Sequence, residues 1–484
     1  MTFPRPRQKI VVAIVYTCGM VMNSLDSTIV NVALATLSRE FSVSPAAIEG
    51  VIIGYLVSLA VFIPASGWLG DRFGTKRIFL IALALFTGAS ALCGFAGSLN
   101  QLIAFRVLQG AGGGLLTPVG MAMLYRTFPP QERVAVGRIL MFATILGPAL
   151  GPIIGGFLIE QWSWRWAFFV NVPVGLAAFV FGLFFLREHR EKTPGRFDAR
   201  GFALAGVGFA LVMFALSEGP SHGWTLPWVY VPGILGALVL AVFVGAELRT
   251  AEPMMQLGLL TNRLFRTTLL VSFFATIGFI GLLFLVPLYL QEARGVSPLV
   301  SGLTTFPEAI GVLVSTQLVA RVYPRVGPRR LMAGGLTGVA IGILLLSLTG
   351  LETDLWVVRA LMFLIGSGMA YIFLPNQAAS LATISREQTG RASTFSSVQR
   401  QLGAALGVAI LSTTLAFIGP TTVNALGQIA PNLAAYRGAF RVAALFAVVG
   451  ALIALAVPDH EAAATMAPRA VRPEPEEAPV FDAA

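Results

Sequence analysis

Gly67-Trp68-Leu69-Gly70-Asp71-Arg72-Phe73-Gly74-Thr75-Lys76-Arg77 joins two apolar runs, 48–69 and 78–97, through a turn that carries one acid and three bases. Its basic core returns as Arg325-Val326-Gly327-Pro328-Arg329-Arg330, 253 residues later. The same offset pairs Arg106 with Arg359, and close to it Gly151 and Gly155 fall against Gly403 and Gly407. A chain that repeats its turns, its buried charge and its small residues at one spacing is built from two copies of one unit.

The unit is a bundle of membrane helices. Of the 484 residues, 56% are hydrophobic and 12% charged, with mean hydropathy +0.80. Soluble domains carry about 25% charged residues, so this is an integral membrane protein. A spanning helix needs about 20 apolar residues. Fourteen runs qualify: 10–34, 48–69, 78–97, 101–125, 134–159, 165–186, 201–217, 227–247, 267–290, 301–320, 331–350, 355–378, 393–417 and 437–457. Spans 1–6 and 9–14 are the two copies, and spans 7 and 8 are inserted between them. The expected fold is all-α, two six-helix bundles plus two inserted helices, with boundaries at 1–190, 191–262 and 263–458. Residues 459–484, rich in Pro, Glu and Ala, read as a disordered cytoplasmic tail. Parallel six-helix repeats around a central site are a transporter architecture.

Basic residues set the orientation. The net charge of +10 suits a nucleic-acid partner in a soluble protein, but here it is distributed by topology. Of 33 Lys and Arg, five (Arg39, Arg165, Arg294, Arg437 and Arg441) lie by the span ends on one side, Arg106 and Arg359 are counted within helices, and the other 26 lie in or toward the opposite ends and segments. The positive-inside rule puts that majority side, and both termini, in the cytoplasm. Arg5, Arg7 and Lys9 precede an apolar run longer than the ~7–15 residues of a signal-peptide core, so the first helix is expected to remain. Cys18 and Cys93 lie in separate spans, and His189, His222 and His460 are far apart. With no metal spacing, hydrolase or nucleotide motif, the chain does not read as an enzyme and calls for no cofactor.

Acids at membrane depth are the functional candidates, because burying them costs at least ~2.5–3.5 kcal/mol on insertion scales. Asp26 sits in Leu25-Asp26-Ser27-Thr28-Ile29-Val30-Asn31 of span 1, and Arg106 lies at comparable depth in span 4. Glu308 is the other acid well inside a span, in Thr304-Thr305-Phe306-Pro307-Glu308-Ala309. The repeat maps Glu308 onto Tyr55 and Asp26 onto Phe279. Symmetry-related positions tend to line the same cavity, so Tyr55 and Glu308 are candidate cavity residues; Asn31 is another candidate, as a polar side chain within span 1 that reads equally as an interhelical hydrogen-bond partner. Asp26, Glu308 and Arg106 are candidates for binding and releasing protons. Gln109, Asn171, Asn376 and Gln399 read equally as cavity residues or as interhelical hydrogen-bond partners. In span 5, Gly147, Gly151 and Gly155 recur every four residues beside Pro148, Pro152 and Gly156, a spacing that lets another helix approach closely.

These stretches resemble the major facilitator superfamily, and within it the fourteen-helix drug:proton antiporter family. The 67–77 turn is similar to the superfamily's loop 2–3 signature. Arg106-Val107-Leu108-Gln109-Gly110-Ala111-Gly112-Gly113-Gly114 is similar to its helix 4 motif. Gly147-Pro148-Ala149-Leu150-Gly151-Pro152-Ile153-Ile154-Gly155-Gly156 resembles the helix 5 motif associated with antiporters. The 25–31 stretch and Trp164-Arg165-Trp166-Ala167-Phe168-Phe169-Val170-Asn171-Val172-Pro173 resemble the fourteen-helix group. The resemblance covers nearly the whole chain except the tail. It implies a latch at the cytoplasmic end built on Gly67, Asp71, Arg72, Gly74, Arg77 and Arg126, with Asp71 pairing with Arg72 or Arg126, and a rocking surface on helix 5.

The expected function is a proton-coupled antiporter of the bacterial inner membrane, exporting amphipathic, cationic compounds by alternating access. Its partners are the small-molecule substrate, protons and the lipid bilayer, with no nucleic acid; a periplasmic adaptor and an outer-membrane channel are candidates, since some family members use them. A narrow-specificity exporter of a metabolite, lipid or siderophore is the alternative on the same fold. A non-transporting membrane sensor or scaffold is a further reading, opposed by the repeat and the intramembrane acids.

Overall fold

The computed structural model describes residues 7–43, 45–129, 132–191, 195–250, 252–385, 387–423 and 429–466. The first group of helices comprises α1 (Gln8–Glu40), α2 (Pro45–Phe62, continued by Ser66–Phe73), α3 (Thr75–Gly94), α4 (Leu99–Thr127), α5 (Arg133–Gln161) and α6 (Asn171–Phe185). Two helices follow, α7 (Ala199–His222) and α8 (Pro227–Glu247). The last group is α9 (Arg263–Leu288), α10 (Pro307–Val326, led by Pro298–Thr305), α11 (Pro328–Leu346), α12 (Leu355–Ala379), α13 (Thr389–Ile418) and α14 (Leu433–Ala454). Each expected span coincides with one of these helices. Among the described residues, twelve helices are long and apolar enough to cross a membrane, or thirteen with α2 counted as one bent span. The remaining one, α5, has 29 residues and so runs about 43 Å at 1.5 Å per residue.

Two spans depart from straight helices. Between Phe62 and Ser66 the backbone breaks and α2 bends by 54°, because Pro64 has no N–H with which to continue the ladder. In the tenth span the break falls at Phe306, just before Pro307. The sequence reading also contains no strand, whereas Thr421–Val423 and Ile429–Pro431 pair as antiparallel strands between α13 and α14.

The apolar core divides as the chain does. Val271, Met332, Met362 and Phe440, from α9, α11, α12 and α14, belong to one cluster. Val15, Phe79, Phe86 and Leu116, from α1, α3 and α4, belong to another, which Phe395 and Val398 of α13 join. Helix α13 therefore forms part of a seam between the two groups. The inserted pair packs on itself, with Gly236 of α8 seated on Leu211 and Val212 of α7. It also lies along the seam: Phe202 meets the Phe62 ring of α2 at 6.2 Å, and Trp224 Nε1 donates to Thr413 Oγ1 of α13 at 2.8 Å. Ile234, Leu238 and Val242 form an exposed apolar stripe on α8, the face a membrane helix offers to lipid.

The repeat extends to how helices start. Gly74 and Gly327, each at positive φ (98° and 82°), precede α3 and α11. After α6, Glu188 accepts from the backbone N–H groups of Lys76 (2.9 Å) and Arg77 (3.1 Å). After α14, Asp459 accepts from Arg329 N–H at 2.8 Å, and Arg329 is the repeat mate of Lys76. A carboxylate at a helix N-terminus satisfies orphan donors and complements the helix dipole. This corrects the expected tail. Asp459–Ala462 and Ala463–Met466 are helical turns docked on the second group, with Ala462 buried and Tyr323 bonded to Thr465 at 2.6 Å. Residues 467–484 of that expected tail lie outside the described residues.

Candidate functional site

Asp26 lies 18 residues into α1, about 27 Å from its start, and is fully buried. Arg106 Nη1 donates to its Oδ2 at 2.5 Å. Gln109 Nε2 and Asn171 Nδ2 donate to Oδ1 at 2.7 and 3.1 Å. Arg106 and Gln109 share a face of α4 because they are three residues apart, and Arg106 Nη1 also donates to Gln109 Oε1 at 2.8 Å. Asn171 reaches in from the start of α6 and also donates to Ser90 Oγ of α3 at 3.1 Å; Ser90 in turn donates to Phe168 O. Arg106 Nε donates to Val51 O of α2, and its guanidinium stacks 4.2 Å above the Tyr55 ring. Tyr55 OH donates to Asn23 Oδ1, and Asn23 Nδ2 donates to Thr117 Oγ1 at 3.2 Å. A buried ion pair is tolerable only when its remaining valences are satisfied, and here both carboxylate oxygens and the guanidinium are met.

Glycines let the helices close on this network. A Cβ on Gly112 would stand 2.7 Å from Phe86 N of α3, and one on Gly114 would stand 2.6 Å from Leu59 O of α2. On α5, a Cβ at Gly151 would lie 2.7 Å from Thr28 Cβ, and one at Gly155 would lie 3.3 Å from Ile29. Thr28 Oγ1 donates to Gly147 O at 3.3 Å. The helix 5 stripe thus presses on α1 inside the first group, one turn from Asp26. It is not the surface between the groups, as expected from the motif; on α5 that surface includes Gly137, which meets Leu374 and Gln377 of α12. Gly156 faces open space, and the side chains of Pro148 and Pro152 lie outside the described residues.

The latch expected around Asp71 is present with altered membership. Arg126 Nη2 bridges Asp71 Oδ1 (2.8 Å) and Glu191 Oε1 (3.3 Å), and Glu191 N–H donates to Asp71 O at 3.2 Å. The side chains of Arg72, at the end of α2, and Arg77, in the first turn of α3, are exposed and lie outside this bridge. Across the seam, Ser66 Oγ meets Thr394 Oγ1 of α13 at 3.2 Å. A Cβ on Gly67 would fall 2.8 Å from that Thr394 oxygen, and one on Gly390 would fall 3.1 Å from Asp71 Oδ1. Tyr125 OH donates to Gln377 O of α12 at 2.6 Å. The two groups are held together at the end where α1 begins and α14 stops.

The expected cavity residues fare differently. Tyr55 is 2% exposed; stacking on Arg106 draws it inside the first group rather than to a cavity wall. The side chain of Asn31 lies outside the described residues. Glu308 is half-buried, its backbone close against Gly366 of α12, and among the described residues no contact joins it to the Asp26 network. Its side of the repeat has no equivalent pair, since Phe279 replaces the acid and Arg359 lies over the Trp356 ring at 4.5 Å. Sequence reasoning missed Glu188 and Glu191, whose signal was a pair of acids set among the bases that follow span 6. It also missed Arg400, eleven residues into α13, because the orientation count grouped it with the charges flanking the spans.

Comparison with known proteins agrees with this architecture. The family model described as Major Facilitator Superfamily matches residues 16–408 and 268–479. A Mycobacterium tuberculosis protein named "Multidrug resistance protein B homolog" is 34% identical over 401 residues, covering 82% of this chain and 74% of that one. "Putative multidrug resistance protein MdtD" of Pectobacterium atrosepticum is 31% identical over 440 residues, covering 91% and 92%. Among solved structures, the proton:xylose symporter XylE has a TM-score of 0.66 at 15% identity, covering 95% of this chain and 98% of its own. The human organic anion transporter MFSD10 gives 0.64 at 16%, covering 92% and 99%. The chain is a multi-pass membrane protein that belongs to the major facilitator superfamily, a family of transporters rather than enzymes.

Proposed function

We propose that this protein exports amphipathic compounds, cationic ones among them, across the bacterial inner membrane in exchange for protons, with both termini in the cytoplasm. The observation that carries the reading is the fully buried Asp26, held by Arg106, Gln109 and Asn171 from α4 and α6. A proton on Asp26 cancels the charge that holds Arg106, so three helices lose a shared anchor together. Such a change can bias a two-state packing. The Ser66–Thr394 contact and the packing of Gly390 against Asp71 close the cytoplasmic end in this conformation, leaving the opposite side as the route for release. Relatives named multidrug resistance proteins support broad export. Half-buried Glu308, without an ion-pair partner among the described residues, supports cationic cargo. The drive is the proton gradient, worth with the potential about 2.3 kcal/mol per charge per 100 mV, and no cofactor is needed.

Everted vesicles energised by respiration test this. Adding ethidium should collapse part of the proton gradient in wild-type vesicles and leave it unchanged in Asp26→Asn vesicles. Equal proton flux in both would remove Asp26 from the exchange.

A further inference from the structure

Another guanidinium lies at membrane depth and the proton network does not use it. Arg400 is eleven residues into α13, about 17 Å from the helix start. It is half-buried and makes no hydrogen bond, ion pair or ring contact with any described residue. Its electrostatic neighbours are the phenols of Tyr16 on α1 and Tyr125 on α4, both buried. Arg400 therefore faces the first group across the seam. Arginine stays protonated in proteins, and an ionised side chain at this depth without a counter-charge is costly enough to mark a functional position.

Polar groups close to Arg400 along α13 are also unsatisfied. Ser393 and Ser397 stand seven and three residues before Arg400, on the same helical face. They are 0% and 2% exposed, and neither hydroxyl has a partner. The Gln399 Nε2 amide, one residue before Arg400, is also unpartnered. Buried polar atoms are nearly always hydrogen-bonded. Each of these groups on α13 can donate, and together with the positive guanidinium they suit a partner that is rich in acceptors and negatively charged.

We propose that Arg400, with Ser393 and Ser397, receives an oxyanion of the transported amphiphile: a carboxylate, sulfonate or phosphate attached to an apolar body. The inference rests on the export reading and widens its substrate class. With Glu308 in the same half of the molecule, the transporter takes anionic and zwitterionic amphiphiles as well as cations. The guanidinium supplies charge and paired donors, and the serines fix the oxyanion against α13.

The test is equilibrium binding of fluorescein and of ethidium to the full chain in phosphatidylcholine nanodiscs, paired with efflux of both dyes from cells. Arg400→Gln should weaken fluorescein binding at least ~10-fold more than ethidium binding, as for loss of a charged hydrogen bond, and Arg400→Lys should recover part of the loss. Ser397→Ala, a milder change, should weaken fluorescein several-fold more than ethidium and keeps the test alive if the glutamine variant does not fold. Equal loss of both dyes in the variants, or fluorescein binding indifferent to Arg400, overturns the inference, as does a wild type that binds ethidium but not fluorescein. In that last case export of ethidium leaves the broader reading standing; a wild type that moves neither dye overturns both.

Discussion

Arg106 Nη1 donates to Asp26 Oδ2 over 2.5 Å, with the two side chains 1% and 0% exposed. At that burial, removing either charge leaves the other uncompensated. The pair also has no counterpart in the second group, where Phe279 and Arg359 occupy the matching positions. The repeat therefore supplies a symmetric frame, and one copy carries the switch.

Removing one charge should cost more than removing both. Breaking a buried pair from one side typically costs about 3–5 kcal/mol, whereas neutral replacement of the whole pair is often tolerated. Asp26→Asn and Arg106→Gln should each lower the thermal unfolding temperature in detergent, and the double variant should recover most of that loss. A double variant whose loss equals the sum of the singles would show that the two residues act independently.

The latch predicts a cross-link. Ser66 and Thr394 oxygens are 3.2 Å apart across the seam, so cysteines at both positions, in a chain lacking Cys18 and Cys93, should cross-link on mild oxidation. Asp71→Asn removes the anion that Arg126 bridges to Glu191 and should reduce the yield by favouring separation of the two groups. Unchanged yield would mean that the Asp71 carboxylate does not hold the seam.

Much of this frame was legible in the chain. The 253-residue offset gave the two copies, and the apolar runs gave each helix, because membrane burial demands long uninterrupted segments. Asp26 and Arg106 stood out for the same reason: a charge in such a run is rare. Partners drawn from distant helices were harder to read. Gln109 and Asn171 were recognisable as polar positions, but only the packing of α1, α4 and α6 aims them at one carboxylate. Glu191 enters the latch through a loop that no helical periodicity describes. Arg400 was obscured because it falls in the first third of its span, where it reads as one more flanking charge.

Asp459 is a helix cap beyond the last span, so the chain should not tolerate truncation at the end of α14. Removing residues 467–484 should leave the unfolding temperature unchanged. Removing 459–484 should lower it, since the Arg329 cap and the Tyr323–Thr465 bond go together. Asp459→Ala alone should cost about 1 kcal/mol, the usual value of a lost N-terminal cap. If both truncations behave alike, residues 459–466 do not contribute to stability.

The helix 5 motif contains glycines of unequal importance, and substitution separates them. At Gly151 an added Cβ meets Thr28 Cβ at 2.7 Å, while at Gly156 nothing lies within 4 Å. Gly156→Ala should therefore be neutral or stabilising by up to about 1 kcal/mol, the helix-propensity difference. Gly151→Ala should push α5 away from α1 one turn from Asp26, reducing folded yield or, where protein folds, slowing proton-coupled efflux. The comparison reads out whether the motif acts through local packing on α1. Equal tolerance at the two positions would mean that α1 can yield at Thr28, and that the close approach of α5 is not what holds Asp26 in place.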